Sequence, residues 1–201
     1  MKLIEMQTIN MDSKEFVQPL IYTERLILRP LSKIDAPVVH FLANENLIAA
    51  NVFNDPFPHT ETLAKQWIKS TLENFQLGRA VVFGIAENNN GNLLGTIGLD
   101  FDKKNNSAQM SYWIAKDYWG HRYCTEAAQN IAQYAFDVLG LEKIYSCHCV
   151  DNPAAAKVFN NIGMTYRGVR ENYIRKGARM IDVYFYTLAK EDFNNTAQLP
   201  N

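Results

Sequence analysis

Between Ser111 and Ala127 the chain reads Ser-Tyr-Trp-Ile-Ala-Lys-Asp-Tyr-Trp-Gly-His-Arg-Tyr-Cys-Thr-Glu-Ala, a strand-like run that turns at a glycine and enters a helix. A helix begun in this way leaves backbone N–H groups unpaired, and with the helix dipole behind them they form a seat for a phosphate or pyrophosphate. Here those groups belong to Gly120 through Thr125. A plain connecting turn has the same composition, so the pattern permits an anion seat without requiring one. Cys147 and Cys149 project to one face of a strand, yet no second Cys or His pair with ligand spacing accompanies them. Small buried thiols are the expectation there, and no metal.

Such a seat needs a scaffold, and the chain has the means for one. Its 201 residues, 47% of them hydrophobic and 12% aromatic, suffice for one packed core and fall short of two ordinary domains. Twenty Lys and Arg against 21 Asp and Glu leave a net charge of −1, so no broad basic field exists for a nucleic acid or an anionic membrane. Glu5, Gln7, Asn10 and Asp12 break the apolar residues of the first segment, which therefore lacks a signal-peptide core. No run approaches the roughly 18 to 20 apolar residues of a membrane span. Three cysteines, an odd number, suit a reducing compartment, and a cytoplasmic location is expected.

Leu26 and Leu28 alternate with Arg25 and Arg29 up to Pro30, the period of a half-buried strand. Ser32 with Asp35 three residues on marks a helix start, and Val38, Val39, Phe41 and Leu42 follow. A second helix begins at Thr60, with Leu63, Trp67, Thr71 and Phe75 at four-residue spacing until Gly78 stops it. Three strand-like runs, 80–86, 93–101 and 108–115, are joined by hairpin turns into an antiparallel meander. Ala128, Ile131, Ala132, Ala135, Phe136 and Leu139 form one helical face over 125–139, and Gly140 ends it. A strand over 143–150 precedes a short helix capped by Asn152, with Pro153 first and Gly163 just past the end. Two strands near 165–173 and 181–188 flank a turn at Lys176-Gly177. The expected fold class is mixed α/β (α+β), with about seven strands and four helices. Residues 21–193 form its domain, 1–20 an N-terminal extension, and 194–201 a loosely held tail.

Tyr-Trp-Ile at 112–114, Tyr-Trp-Gly at 118–120, Thr-Glu-Ala at 125–127, Leu-Gly-Leu at 139–141, Val-Asp-Asn-Pro at 150–153 and Asn-Ile-Gly-Met at 161–164 together resemble the GNAT N-acetyltransferase superfamily. Thr-Glu-Arg-Leu-Ile-Leu-Arg-Pro-Leu at 23–31 and Phe-Pro-His-Thr-Glu-Thr at 57–62 are similar to its ribosomal-protein-alanine N-acetyltransferase branch. The resemblance implies a mostly antiparallel central sheet flanked by helices, and acetyl-CoA as co-substrate. It implies that backbone amides of Trp119, Gly120, His121, Arg122, Tyr123, Cys124 and Thr125 cradle the CoA pyrophosphate. It further implies that Trp113, Ile114 and Ala115 pair with pantetheine, and that Asn152, Ala155 and Phe159 line its arm, although Asn152 serves equally as a helix cap. Phe57 and His59 fall in the family's acceptor-side loop, where they could instead simply pack. The acceptor is a protein N-terminus or a small amine, neither nucleic acid nor membrane is a partner, and the molecule is a monomer or homodimer.

Several positions depart from the family's pattern. Arg122 stands where a glycine is usual, so it must adopt a permitted conformation or turn its guanidinium to an anion, a solvated side chain being the alternative. Gln109 replaces the glutamate that many members use as general base, Phe159 replaces their proton-donating tyrosine, and Ala155 stands where the branch can place a serine. The remaining candidates for a base are His148, whose ordinary pKa suits the task, and Glu171; a packed strand histidine and a surface charge are the other readings. A site poor in bases suits an α-amine, with a reference pKa of about 7.7 to 8.0, better than a lysine amine near about 10.4. Acetylation of a polyamine, amino acid or antibiotic is a second reading, and a non-catalytic acyl-CoA-binding module a third.

Overall fold

A computed structural model describes residues 17–43, 60–150, 152–176 and 179–197. Eight strands form one sheet in the order β1-β2-β3-β4-β5-β6-β8-β7. They are β1 (Ile21–Tyr22), β2 (Leu26–Pro30), β3 (Ala80–Glu87), β4 (Leu93–Asp102), β5 (Ser107–Ile114), β6 (Lys143–Cys149), β7 (Thr165–Lys176) and β8 (Arg179–Ala189). Every neighbouring pair is antiparallel except β5–β6. The strand beyond the expected seven is β1, two residues paired through Ile21–Leu28 and Tyr22–Ile27. So short a run carries no readable alternation.

Five helices occur among the described residues: α1 (Ala36–Ala43), α2 (Glu61–Gln76), α3 (Tyr123–Gln133), α4 (Pro153–Asn161) and α5 (Lys190–Ala197). At the start of α1 a 3₁₀ turn holds Asp35, whose carboxylate accepts from the Ser32 N–H at 2.8 Å and from both Arg29 terminal nitrogens at 2.9 and 2.7 Å. Thr60 Oγ1 accepts from the Leu63 N–H and caps α2, as its residue type predicts. The apolar period over 125–139 does not give one continuous α-helix, because Tyr134–Val138 widen into a π turn. The polar segment 190–197, partly assigned to a loose tail, is helical, with Phe193 lying 5.4 Å from Phe136. The turn at Lys176-Gly177 falls partly outside the described residues.

Strand alternation divides the core. Val81, Phe83, Ile97, Leu99, Met110, Ile144 and Leu188 meet Ala128, Ile131, Ala132 and Phe136 of the α3 segment and Phe159 of α4 in the larger cluster. On the opposite face Val82 and Trp113 pack with Ala64, Trp67 and Ile68 of α2 and with Val39 of α1. No helix among the described residues is long and apolar enough to cross a membrane.

Candidate active site

The parallel pair β5–β6 is in register only for Ser107–Lys143, Ala108–Ile144 and Gln109–Tyr145. Beyond them β5 stays with β4 as far as Ile114, while β6 follows β8 through Cys149, so the sheet parts between them. Ser146 Oγ crosses the start of this gap and donates to Met110 O at 2.7 Å. That bond fixes the parity of β5: the backbone groups of Met110, Tyr112 and Ile114 point toward the gap, and those of Trp113 toward β4. Ile114 O accepts from Trp119 Nε1 at 2.9 Å. Ala115 offers no free backbone group, because its N–H donates to Leu94 O at 2.8 Å and its carbonyl accepts from the Tyr118 N–H at 3.0 Å. Of the expected trio, Ile114 keeps a gap-facing N–H, a direction that Tyr112 shares and that Trp113 and Ala115 do not.

The gap runs into a cleft of about 890 Å³. On its α3 side the chain turns through Gly120 at φ 81° and Arg122 at φ 62° into the helix. Arg122 therefore takes the left-handed conformation that favours glycine, a strain of about 1 to 2 kcal/mol for an L-residue. The first intrahelical bond joins the Glu126 N–H to Arg122 O at 3.0 Å, which leaves the N–H groups of Tyr123, Cys124 and Thr125 without intrahelical acceptors. Glu126 aims and locks this helix start. Its carboxylate accepts from Thr23 Oγ1 at 2.5 Å and from the backbone N–H and Nε of Arg25, both at 2.8 Å. Arg25 also lies over the Tyr123 ring, 4.6 Å from its centre.

The cleft wall includes Trp113, Ile114, Trp119, Gly120, Arg122, Tyr123, Cys124, Thr125, Asn152, Ala155 and Phe159, together with His148. Ala115 and His121 are not on it; His121 stacks on Tyr123 with ring centres 5.7 Å apart. Asn152 makes no side-chain cap bond to α4 and is one of the residues lining the cleft. Burial pushes the Cys124 thiol up to about 12, which rules out a ready thiolate. Glu171 sits exposed on β7 away from the cleft, where register shifts beside Asn172 turn the strand. Phe57 and His59 lie outside the described residues.

His148 is 2% exposed, enclosed by Phe159, Tyr184 and Tyr186 at ring distances of 5.8, 5.4 and 5.5 Å. Its Nδ1 lies 2.7 Å from Cys149 O, a bond that requires the proton on Nδ1. Burial lowers its pKa below the ordinary 6.5, against the opposing pull of that hydrogen bond. The ring is thus neutral near pH 7, with Nε2 sealed in protein and unpartnered. The same ring lines the cleft wall.

Sequence reasoning missed Asp100. It lines the cleft on β4, sharing parity with Thr96 and Gly98, which line it too. Burial raises its carboxyl above the ordinary carboxylate value. The available signal was a single acid at the end of Leu93–Leu99, on the parity opposite the core residues Ile97 and Leu99. Among the described residues no group of His, Cys, Asp and Glu is placed to hold a metal ion.

The acetyltransferase (GNAT) domain model matches residues 25–165. An uncharacterized N-acetyltransferase, p20, of Bacillus licheniformis is 27% identical over 174 residues, covering 86% of this chain and 97% of its own. A spermidine N(1)-acetyltransferase of Vibrio cholerae is 28% identical over 145 residues, 72% of this chain and 81% of that one. Among solved structures, the ribosomal-protein-S5-alanine acetyltransferase of Vibrio fischeri superposes with a TM-score of 0.76 at 18% identity, covering 88% of this chain and 99% of its own. With the parted strands, the open helix start and a domain match over most of its length, the chain belongs to the acetyltransferase (GNAT) domain family.

Proposed function

We propose that this acetyl-CoA-dependent N-acetyltransferase acts on α-amines, in the first place the N-terminal amine of a protein such as a ribosomal protein. The observation that carries the reading is the gap between β5 and β6, which opens directly beside the unpaired N–H groups of α3. CoA pyrophosphate fits the amides of Tyr123, Cys124 and Thr125, with Arg122 supplying charge. Pantetheine lies along the free groups of Tyr112 and Ile114, between Asn152, Ala155 and Phe159. The thioester then reaches the foot of the gap, and the acceptor enters from the α2 side.

The amine nitrogen attacks the acetyl carbon directly, forming C–N as C–S breaks. The amine proton leaves to water, and the thiolate departs and is protonated. Holding the two reactants in one cleft, with backbone N–H groups polarising the carbonyl, supplies most of what this transfer needs. With Gln109 and Phe159 where many members have an acid or base, the chemistry favours an amine already partly neutral near pH 7. Acetylation of a small polyamine is the second reading, supported by the spermidine-acetylating relative and by an acidic residue in the acceptor half. A thiol-release assay with acetyl-CoA against Ala- and Ser-initiated peptides, polyamines and aminoglycosides separates them. The peptides should be turned over fastest; polyamines alone as substrates would overturn the α-amine assignment.

A further inference from the structure

The charged side chains on the cleft wall sort by side. Arg122 stands at the start of α3 and Lys157 on α4, while Asp100 is the one acid among the described residues of the wall. Its neighbour Leu99 belongs to the core beneath α3, so alternation turns Asp100 to the α2 side. Its cross-strand partner is Gln109, and Gln109 in turn pairs with Tyr145 in the last rung before β5 and β6 part. Directly opposed residues lie roughly 4.5 to 5.5 Å apart. Asp100 is therefore one strand away from the foot of the gap, where an acceptor must meet the thioester.

No Lys, Arg or His among the described residues pairs with this carboxylate, in contrast to Asp35 and Glu126, each of which has its arginine. The side chain is exposed at the end of the buried run of β4, where a cationic ligand in the cleft would supply the missing partner. Its field is felt across the row. Burial chiefly, with Tyr173, Asp102 and Asp100 adding, raises the Tyr145 phenol above its ordinary value.

We infer that Asp100 anchors the ammonium group of the acceptor, holding it at the foot of the gap until it gives up its proton and attacks. The inference rests on the acetyl-transfer reading above. It assigns the two cleft halves opposite charge preferences: cationic side chains for the anionic cofactor, and one carboxylate for a cationic nitrogen.

Calorimetric titration of the CoA-loaded protein tests it with three probes: an Ala-Gly-Gly amide, butane-1,4-diamine, and the N-acetylated Ala-Gly-Gly amide as uncharged control. CoA in place of acetyl-CoA prevents turnover. The wild type should bind at least one cationic probe about tenfold or more tighter than the control, the range of a charge-assisted contact. Asp100→Asn should abolish that preference, and Asp100→Glu should keep part of it. Asp100 is exposed, so Asp100→Asn should leave the melting temperature unchanged. A loss of binding at unchanged stability cannot come from unfolding. An Asn variant that keeps the wild-type preference, or a wild type with none, overturns the inference. If the wild type also fails to respond to CoA in a thermal scan, the acetyl-transfer reading falls and takes the inference with it; a normal CoA response with unchanged preference sinks the Asp100 assignment alone.

Discussion

On the α3 side of the gap the cleft offers mainly backbone: the N–H groups of Tyr123 to Thr125 and the free edge of Tyr112 and Ile114. On the α2 side it offers side chains, among them Trp67, Ser70 and Asn74 of α2, Asp100 of β4 and Gln109 of β5. A backbone surface is set by where the strands part and where a helix starts, so it survives many substitutions. A side-chain surface is rewritten by single changes. The contrast explains how one fold keeps a common cofactor seat while its acceptors differ.

The comparison breaks most visibly if the β5 backbone is moved. A Cβ at Gly95 would lie 2.1 Å from Trp113 O and 2.7 Å from Ile114 Cα, so Gly95→Ala forces β4 and β5 apart at the cofactor edge. We expect a loss of about 3 kcal/mol, roughly 10 °C in melting temperature, together with a weakened response to acetyl-CoA. A variant that melts lower but binds acetyl-CoA as the wild type does would separate the seat from that backbone.

Arg122 tests a place where the cofactor half relies on a charged side chain. Arg122→Ala should weaken acetyl-CoA binding by roughly tenfold or more, since Arg–phosphate contacts are worth about 1.5 to 3 kcal/mol. Arg122→Gly should lose less and melt above the alanine variant, because glycine relieves the positive φ. Added salt should weaken the wild type more than either variant. Titration calorimetry at two ionic strengths distinguishes them, and equal affinities with equal salt dependence would make Arg122 a bystander.

His148 stands between the halves and gives a smaller, pH-dependent effect. Its folded pKa lies below the ordinary value, so its contribution is fully present above about pH 6.5 and is lost as pH falls through the folded value. The melting temperature should drop by more between pH 7 and pH 5 in the wild type than in His148→Phe. Equal drops would remove His148 from the account of acid sensitivity. The smallest expected effect belongs to Glu171→Gln, exposed on β7, where rate and stability should match the wild type within error. A large fall in rate there would bring β7 into the site.

The same contrast governs what the sequence made legible. The cofactor half could be read because its features are demands on the backbone: a glycine at a turn, Pro153 opening a helix, Gly140 and Gly163 ending helices at φ 68° and 85°. Asp100 could not, because only strand register brings it beside Gln109, and register is not written in local periodicity. The position of Glu171 off the cleft was not legible either, because the register shifts in β7 depend on pairing with β8. The π turn shares its apolar period with the helix before it, and α5 hides a single anchoring aromatic, Phe193, in a polar segment.

Binding of acetyl-CoA at the parted strands is the claim on which the rest stands, and a thermal scan of the wild type with and without millimolar acetyl-CoA tests it most directly. A ligand held at 100 times its dissociation constant stabilises the folded state by about 2.7 kcal/mol, so a rise of several degrees is expected, roughly 5 to 10 °C for a chain of this size. An unchanged melting temperature would contradict the account.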